Sequence, residues 1–399
     1  MSPAQGSSTF RARLLFALKF AFAALMLLLV MRTLPWRDEV TLVQPAGKRV
    51  LVGTLLGDWK SDAVRFEFDA RVERASLPAE WQAQLAQSRT VELQRSAEVG
   101  WNPSVPRVFR SVELAGLGLA LGLLCLGVVM QTTRWWRLLA ALGCPTGWFN
   151  ALRLGLYGLF FNLIVPGQAG GDVVKALLVA REHPERRAAA AVSVLIDRFV
   201  GLLILVLLCA IVIVLEGDRF APVRNLVLIT LCAGVMAAIL YANPSVRRTV
   251  NLEHRLRRMP MSRSLLQIDK AFLVYSERPF ELLLAGLLSV CVHACVAMSV
   301  FVLGRAFGDT TASLMQYFAI SSVGNIASAL PITPGGWGVG EAVYQYLFEL
   351  VGADGTIGVA VSITYKLLFG LIGMSGGIFL LLPGGRRQIS ELRQVPVRS

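Results

Sequence analysis

The sequence predicts an all-α polytopic membrane protein with an inverted repeat of re-entrant or broken helical hairpins and a small extracytoplasmic β-rich insert. Mean hydropathy is +0.60 and only 16% of the 399 residues are charged, whereas soluble domains are about one quarter charged. Several apolar runs reach the ~20 residues that a helix needs to cross a bilayer. The six cysteines lie in or beside these runs. These features exclude an ordinary soluble enzyme, a disordered chain and a secreted disulfide scaffold.

The first apolar run, Leu14–Met31, follows basic residues and has no small-residue cleavage pattern after it. We therefore predict an uncleaved signal anchor in residues 1–36. The other apolar runs predict a transmembrane domain over residues 111–385. They are Val112–Met130, Phe149–Val165, Ala188–Leu215, Val223–Tyr241, Glu281–Leu303, Leu314–Leu330, Trp337–Leu350 and Thr356–Leu382.

Residues 37–110 differ in composition from the rest of the chain, because 21 of these 74 residues are charged. Three runs, Val40–Val43, Arg49–Leu56 and Ala63–Val72, have β-type composition, with apolar and charged residues alternating in the third. The pattern predicts a small extracytoplasmic β-rich domain. At that size we expect it to depend on the membrane part for stability.

The basic loops predict the orientation. The loop over residues 244–279 carries eight Lys or Arg against three acidic residues, which favours the cytoplasmic side. The N-terminus and the basic tail, residues 386–399, are then cytoplasmic too, in a cell (inner or plasma) membrane. We expect the net charge of +13 to face anionic lipid at the cytoplasmic surface. No nucleic acid is expected as a partner, since no binding motif accompanies the charge.

Two segments of the chain look alike. Pro166–Asp172 and Pro334–Glu341 are both rich in glycine and end in a carboxylate, and an offset of 169 aligns Gly171 with Gly340. With the predicted orientation, the first hairpin is entered from the cytoplasm and the second from outside. Inverted repeats with interrupted helices are typical of transporters. A coincidence between similar ends of spans is the alternative.

The two turns carry the chemistry of the predicted site. Each opens a helix, whose free N–H groups suit a phosphate or carboxylate; alternatively the glycines only break a helix that the acid caps. Buried cations, Arg198 and Lys366, each follow a turn proline by 32 residues. They could hold a lipid phosphate, or form ion pairs (Asp172 or Asp197 with Arg198, Glu341 with Lys366) that only lock the fold. The predicted substrate-binding residues are Pro166, Gly167, Gly170, Gly171, Asp172, Arg198, Pro334, Gly335, Gly336, Gly338, Gly340, Glu341 and Lys366.

Other candidate groups predict no further chemistry. On a helix, His293 points away from the face shared by Cys291 and Cys295, so a shared metal is geometrically awkward. Lys175 is expected to extend to the cytoplasmic surface. We predict no metal, no cofactor and no catalytic residues, and therefore no enzyme activity.

The segments Pro166–Lys175, Ala189–Gly201 and Pro334–Ala342 resemble the membrane region of lysylphosphatidylglycerol synthases and of related flippase-like integral membrane proteins. The resemblance covers about residues 112–385. It implies movement of an aminoacylated phospholipid between leaflets, with aminoacylation left to a separate cytosolic domain. Only 17 residues follow Leu382, so we do not expect the synthase activity. The insert, and Lys366 where relatives usually have arginine, depart from the family pattern.

We therefore predict that the chain binds an anionic phospholipid or lipid-linked head group and translocates it between leaflets. The alternative is a membrane-embedded enzyme, or a partner of one, acting on a lipid-linked sugar or phospholipid head group. A scaffold for envelope assembly is a third reading. An envelope-biosynthesis enzyme remains open as a partner.

Overall fold

The computed structural model describes most of the chain from residue 21 onward. The described residues are 21–22, 24–25, 27–32, 34–44, 47–69, 72, 77–96, 98–164, 170–249, 251–258, 266, 269–270, 273–275, 277–329 and 333–381. Two predicted site residues, Pro166 and Gly167, lie outside them. The same is true of the basic tail and of residues 1–20 of the predicted signal anchor.

The charged insert forms a five-stranded antiparallel sheet, which we call the sheet module. Its strands run in the order β4-β3-β2-β1-β5. They are β1 (Asp38–Gln44), β2 (Gly47–Leu56), β3 (Ala63–Phe68), β4 (Val91–Gln94) and β5 (Val99–Asn102). The three predicted β-type runs coincide with β1 to β3, although β3 ends at Phe68 rather than Val72.

Alternating burial explains this sheet. In β3, Val64 and Phe66 are buried, while Ala63, Arg65 and Glu67 beside them are exposed, as expected for a strand with one covered face. Helix α1 (Ala79–Gln87) packs Trp81 against Phe68, and helix α2 (Val105–Arg110) leads into the membrane part. Neither helix was predicted from the sequence.

Most of the rest of the described chain is helical. The helices are α3 (Leu114–Ala141), α4 (Trp148–Ile164), α5 (Gly170–Glu182), α6 (Arg187–Leu215), α7 (Ala221–Ala242), α8 (Pro244–Thr249), α9 (Leu252–Arg258), α10 (Pro279–Ala306), α11 (Leu314–Ala329), α12 (Val339–Leu350) and α13 (Gly355–Leu381).

Among the described residues, five helical segments are long and apolar enough to cross a membrane: Leu114–Ala141, Arg187–Leu215, Gly217–Tyr241, Pro279–Ala306 and Gly355–Leu380. The multi-pass helical prediction is thereby confirmed. By contrast, α4, α5, α11 and α12 have 17, 13, 16 and 12 residues. At ~1.5 Å per residue they fall short of the ~30 Å hydrocarbon core. They come as two pairs, α4 with α5 and α11 with α12.

Helices α3 to α6 and helices α10 to α13 form two sets with the same order, one long, two short and one long helix. The two sets also have corresponding packing partners. Within each set of four, successive helices pack together and the first packs against the last. Between the sets, the two first helices, α3 and α10, pack against each other. The second helix of each set packs against the fourth helix of the other, α4 against α13 and α11 against α6. The long helix α7 lies between the two sets in sequence and packs against α6.

The sheet module is attached to the ends of α3 and α10. Asp38 accepts hydrogen bonds from Arg107 and from the backbone N–H groups of Leu55 and Ser104. The Phe109 ring meets the Phe307 ring edge-on, with centroids 5.6 Å apart. One continuous apolar core runs from the sheet into the helices.

Candidate functional site

The second glycine turn joins α11 to α12. A single 3₁₀ turn, Pro334–Gly336, precedes α12, and Gly335, Gly336 and Gly338 have φ of 62°, 69° and 83°. Side chains other than glycine rarely adopt this conformation. It lets the Gly338 N–H turn back to Glu341 Oε2, 2.6 Å away. Glu341 therefore caps the start of α12.

Glu341 also holds Lys366, which comes from α13. Lys366 Nζ lies 2.8 Å from Glu341 Oε1 and donates to the Gly336 carbonyl oxygen, also at 2.8 Å. The Ser362 hydroxyl lies 3.3 Å from the same carboxylate oxygen. Glu341 is 0% exposed and the Lys366 side chain 12%. A Cβ added at Gly340 would come 2.5 Å from Lys366 Nζ, so glycine there leaves room for the ammonium.

The first glycine turn joins α4 to α5. The Gly171 N–H at the start of α5 donates to Asn162 Oδ1, 2.7 Å away. A Cβ at Gly171 would lie 1.8 Å from the Gly158 carbonyl oxygen, so the two helices touch backbone to backbone. Asp172 pairs with Arg198 of α6 through a contact of 2.5 Å, and their side chains are 24% and 45% exposed.

Asp197, the other candidate partner of Arg198, pairs instead with Arg134. Arg134 Nε lies 2.7 Å from Asp197 Oδ1, and Arg134 Nη1 donates to the Ser289 hydroxyl at 2.8 Å. The pair joins α3, α6 and α10. Helix α3 continues to Ala141, beyond the predicted end of its span at Met130, and Arg134 is buried within the bundle.

The prediction that Lys175 extends to the cytoplasmic surface was wrong. Its side chain is buried, and its ammonium lies 3.6 Å from the centroid of the Trp135 ring. The Trp135 indole N–H donates to the Ser193 hydroxyl at 3.0 Å, which fixes the ring. Because α5 packs against both α4 and α6, the face that carries Lys175 points into the bundle.

The histidine between two cysteines has a structural partner. His293 Nε2 lies 2.9 Å from the Gly201 carbonyl oxygen, so this ring nitrogen donates to it. Cys291 is exposed and Cys295 half-buried. Within the described part of the chain, no group of three or more His, Cys, Asp or Glu side chains could hold a metal ion.

The structure therefore brings most of the predicted residues into two groups. Gly170, Gly171, Asp172 and Arg198 meet at the first turn. The second turn assembles Pro334, Gly335, Gly336, Gly338, Gly340, Glu341 and Lys366. In each group a carboxylate at the start of a short helix holds a cation from the following long helix. A cation fixed in this way can offer N–H groups to a phosphate oxygen.

The buried partners Arg134 and Lys175 were missed by sequence reasoning. Lys175 follows Asp172 by three residues, which places both on one helix face. This spacing could have indicated that Lys175 lies beside the first turn. No comparable local signal marks Arg134.

Comparison with known proteins agrees with this architecture. No curated protein matches the chain. The family model described as "Lysylphosphatidylglycerol synthase TM region" matches residues 98–377. That range is well over half of the chain and contains both glycine turns and both ion pairs. The chain is therefore a membrane protein that belongs to the lysylphosphatidylglycerol synthase transmembrane-region family.

Proposed function

We propose that this protein binds the head group of an anionic phospholipid or lipid-linked substrate and moves it between the two leaflets. The observation that carries the proposal is the matched pair of glycine turns. At each, a carboxylate in the first turn of a short helix orients a cation from the next long helix.

The proposal includes an inverted repeat. Helices α3 to α6 and α10 to α13 match in order, length and packing partners. With the basic loop over residues 244–279 in the cytoplasm, α4 and α5 enter from the cytoplasm and α11 and α12 from outside. Such an arrangement places a binding site near the bilayer midplane, between the two repeats.

The charges suit a phosphate better than a cationic ligand. Asp172 and Glu341 already face Arg198 and Lys366, so the carboxylates position these cations rather than repel the ligand. Charge-assisted hydrogen bonds from a guanidinium or ammonium are the strong contacts to phosphate. The pair at the first turn is more exposed than the pair at the second, as expected of a site open on one side at a time.

Transport can be measured with the purified protein in liposomes that contain fluorescent phosphatidylglycerol. A membrane-impermeant quencher added outside reports the labelled lipid that reaches the outer leaflet. We expect Arg198→Gln to slow transfer at least about tenfold, because a charge-assisted contact to phosphate is lost. Arg224→Gln is the matched control, since Arg224 pairs with exposed Asp218.

The second turn needs a variant that leaves no unpaired buried carboxylate. Glu341→Gln combined with Lys366→Met removes both charges, and we expect it to slow transfer as Arg198→Gln does. Normal transfer in both variants, with normal folding, would reduce the two pairs to structural contacts and defeat the proposal.

The alternative function, an enzyme or enzyme partner, is favoured by one feature of the sheet module. A groove of about 340 Å³ between the sheet and α2 is lined by residues that include Trp59, Arg107 and Arg110. Such a groove could hold an extracytoplasmic head group. An enzyme would chemically change the lipid in detergent, without a bilayer, whereas a translocator would leave it unchanged. Product analysis by mass spectrometry separates the two.

A further inference from the structure

Lys175 is a buried cation without a hydrogen-bond acceptor among the described residues. Its side chain is 7% exposed, and its ammonium lies over the Trp135 ring. A cation–π contact compensates only part of the cost of removing an ammonium from water. The three N–H donors of Lys175 therefore remain available to an anion.

The charges around Lys175 do not balance. The charged groups that act on it are Asp172 and Asp197, which attract it, and Arg134 and Arg198, which repel it. Together these five side chains carry three positive and two negative charges. An uncompensated buried charge is costly within a membrane, and one bound anion would neutralise the group.

The second hairpin has an uncharged residue at the matching position. The offset of 169 that aligns Asp172 with Glu341 aligns Lys175 with Tyr344. The Tyr344 hydroxyl is buried and, in the described part of the chain, has no hydrogen-bond partner. Around this second position the charges balance, since Glu341 pairs with Lys366.

The two positions also share their packing. A Cβ built at Gly158 would lie 3.5 Å from the Lys175 Cβ, and one at Gly324 would lie 2.3 Å from the Tyr344 ring. Each side chain thus packs against a glycine of the neighbouring short helix. At both hairpins, a buried polar group without a hydrogen-bond partner among the described residues packs against the neighbouring short helix.

We propose that Lys175 binds the phosphate of the transported lipid and that this lipid carries one unpaired negative charge, as a phosphodiester does when its head group has no cationic group. Tyr344 provides a neutral donor at the second hairpin. The two half-sites therefore bind the same head group with unequal strength. This inference rests on the proposed function and names the substrate class and a further binding residue.

The test compares purified full-length variants in detergent with added phosphatidylglycerol or phosphatidylcholine. We expect Lys175→Met to weaken phosphatidylglycerol binding at least about tenfold, and Lys175→Arg to keep it within about threefold. Tyr344→Phe should weaken binding of both lipids to a similar extent, because it removes a neutral hydrogen bond. Arg224→Gln again serves as the control.

Thermal unfolding without lipid separates binding from structure. Because Lys175 adds an uncompensated charge, Lys175→Met should be at least as stable as the unchanged protein, and phosphatidylglycerol should no longer raise its unfolding temperature. Lower stability of Lys175→Met and Lys175→Arg without lipid would show a structural role and overturn the assignment.

The outcomes also separate this inference from the proposed function. If Lys175→Met keeps the preference for phosphatidylglycerol while Arg198→Gln loses it, the Lys175 assignment fails and the proposed function stands. If the unchanged protein shows no preference for phosphatidylglycerol over phosphatidylcholine, both fail.

Discussion

Arg134 and Asp197, 63 residues apart in the chain, form a salt bridge of 2.7 Å in which both side chains are almost completely buried. The same guanidinium donates to Ser289. One arginine of α3 therefore joins α6, in the same set of four helices, and α10, in the other set. We expect this contact to determine how the two sets of helices are held together.

Replacing Arg134 tests that role. Arg134→Met leaves the Asp197 carboxylate buried without its cation, so we expect it to cost about 3–5 kcal/mol of unfolding free energy. Combining it with Asp197→Asn should recover most of that loss, since the buried carboxylate is then removed together with its cation. Unfolding in detergent measures both, and simple additivity of the two changes would contradict the pairing.

Gly171 tests the close approach of α4 and α5. Gly171→Ala places a Cβ 1.8 Å from the Gly158 carbonyl oxygen, and backbone must move to admit it. We expect a loss of at least about 2 kcal/mol. Gly118→Ala is the matched control in a neighbouring helix, because a Cβ there meets nothing within 4 Å. It should be neutral or slightly stabilising.

Glu341 performs two tasks that different substitutions separate. Glu341→Gln keeps an oxygen for the Gly338 N–H but loses the charge that faces Lys366, which we expect to cost about 1–3 kcal/mol. Glu341→Ala removes both contacts and should cost about 3–5 kcal/mol. Chemical unfolding of both variants measures the two losses of unfolding free energy. Equal losses would show that the contact with Gly338 contributes nothing.

The Glu341→Gln variant also separates two roles in transport. If Glu341 only caps α12 and orients Lys366, a pH gradient should affect transport by the variant as it affects transport by the unchanged protein. A proton-coupling role would instead abolish pH-driven transport while leaving lipid binding intact. Transfer assays with and without a pH gradient distinguish these outcomes.

Asp38 predicts a pH dependence of the sheet module. Burial alone would raise the pKa of Asp38, but hydrogen bonds from Arg107, Ser104 and Leu55 outweigh it and hold the pKa below the ordinary 3.8. A lowered folded-state pKa stabilises the fold above the unfolded-state pKa, and this contribution is lost as the pH falls through the folded-state value.

Asp38→Asn should therefore lower the unfolding temperature of the module at neutral pH. The difference from the unchanged protein should shrink at acidic pH, as the pH falls below the ordinary 3.8 and through the lowered folded-state pKa. Tryptophan fluorescence follows the module through Trp59, Trp81 and Trp101, which are buried in it. A difference of the same size at both pH values would contradict the ionised pair with Arg107.

The orientation is testable by labelling single cysteines in a chain without other cysteines. Ala83, on α1, and Thr249, at the end of α8, are both exposed. In intact cells, an impermeant thiol reagent should modify Ala83→Cys and not Thr249→Cys. Labelling of Thr249→Cys from outside would reverse the assignment of the basic loop and remove the basis of the inverted repeat.

Local patterns predicted most of the fold. Alternation of apolar and charged residues marked β3, and long apolar runs marked α6 and α10, because these features depend on residues close in sequence. Helix α1 could have been found as well, since Trp81 and Leu85 are four residues apart and both buried. Its short length and mixed polarity concealed it.

The site could be predicted only in part. The glycine turns and their carboxylates are visible in sequence, and the pairing of Glu341 with Lys366 was among the alternatives considered. The choice of Asp172 over Asp197 as the partner of Arg198 depends on how α3 packs against α6, since Arg134 takes Asp197. The burial of Lys175 likewise depends on Trp135, which lies on another helix.

The long helix α7 has a consequence for how the chain is inserted. In the proposed topology each repeat crosses the bilayer twice, because its two short helices return to the side from which they came. Two such repeats joined directly would point the same way. The single additional crossing by Ala221–Ala242 makes the number of crossings before the second repeat odd. The second repeat therefore has the opposite orientation in the membrane. Deleting α7 would therefore convert an antiparallel duplication into a parallel one, leaving both glycine turns facing one compartment.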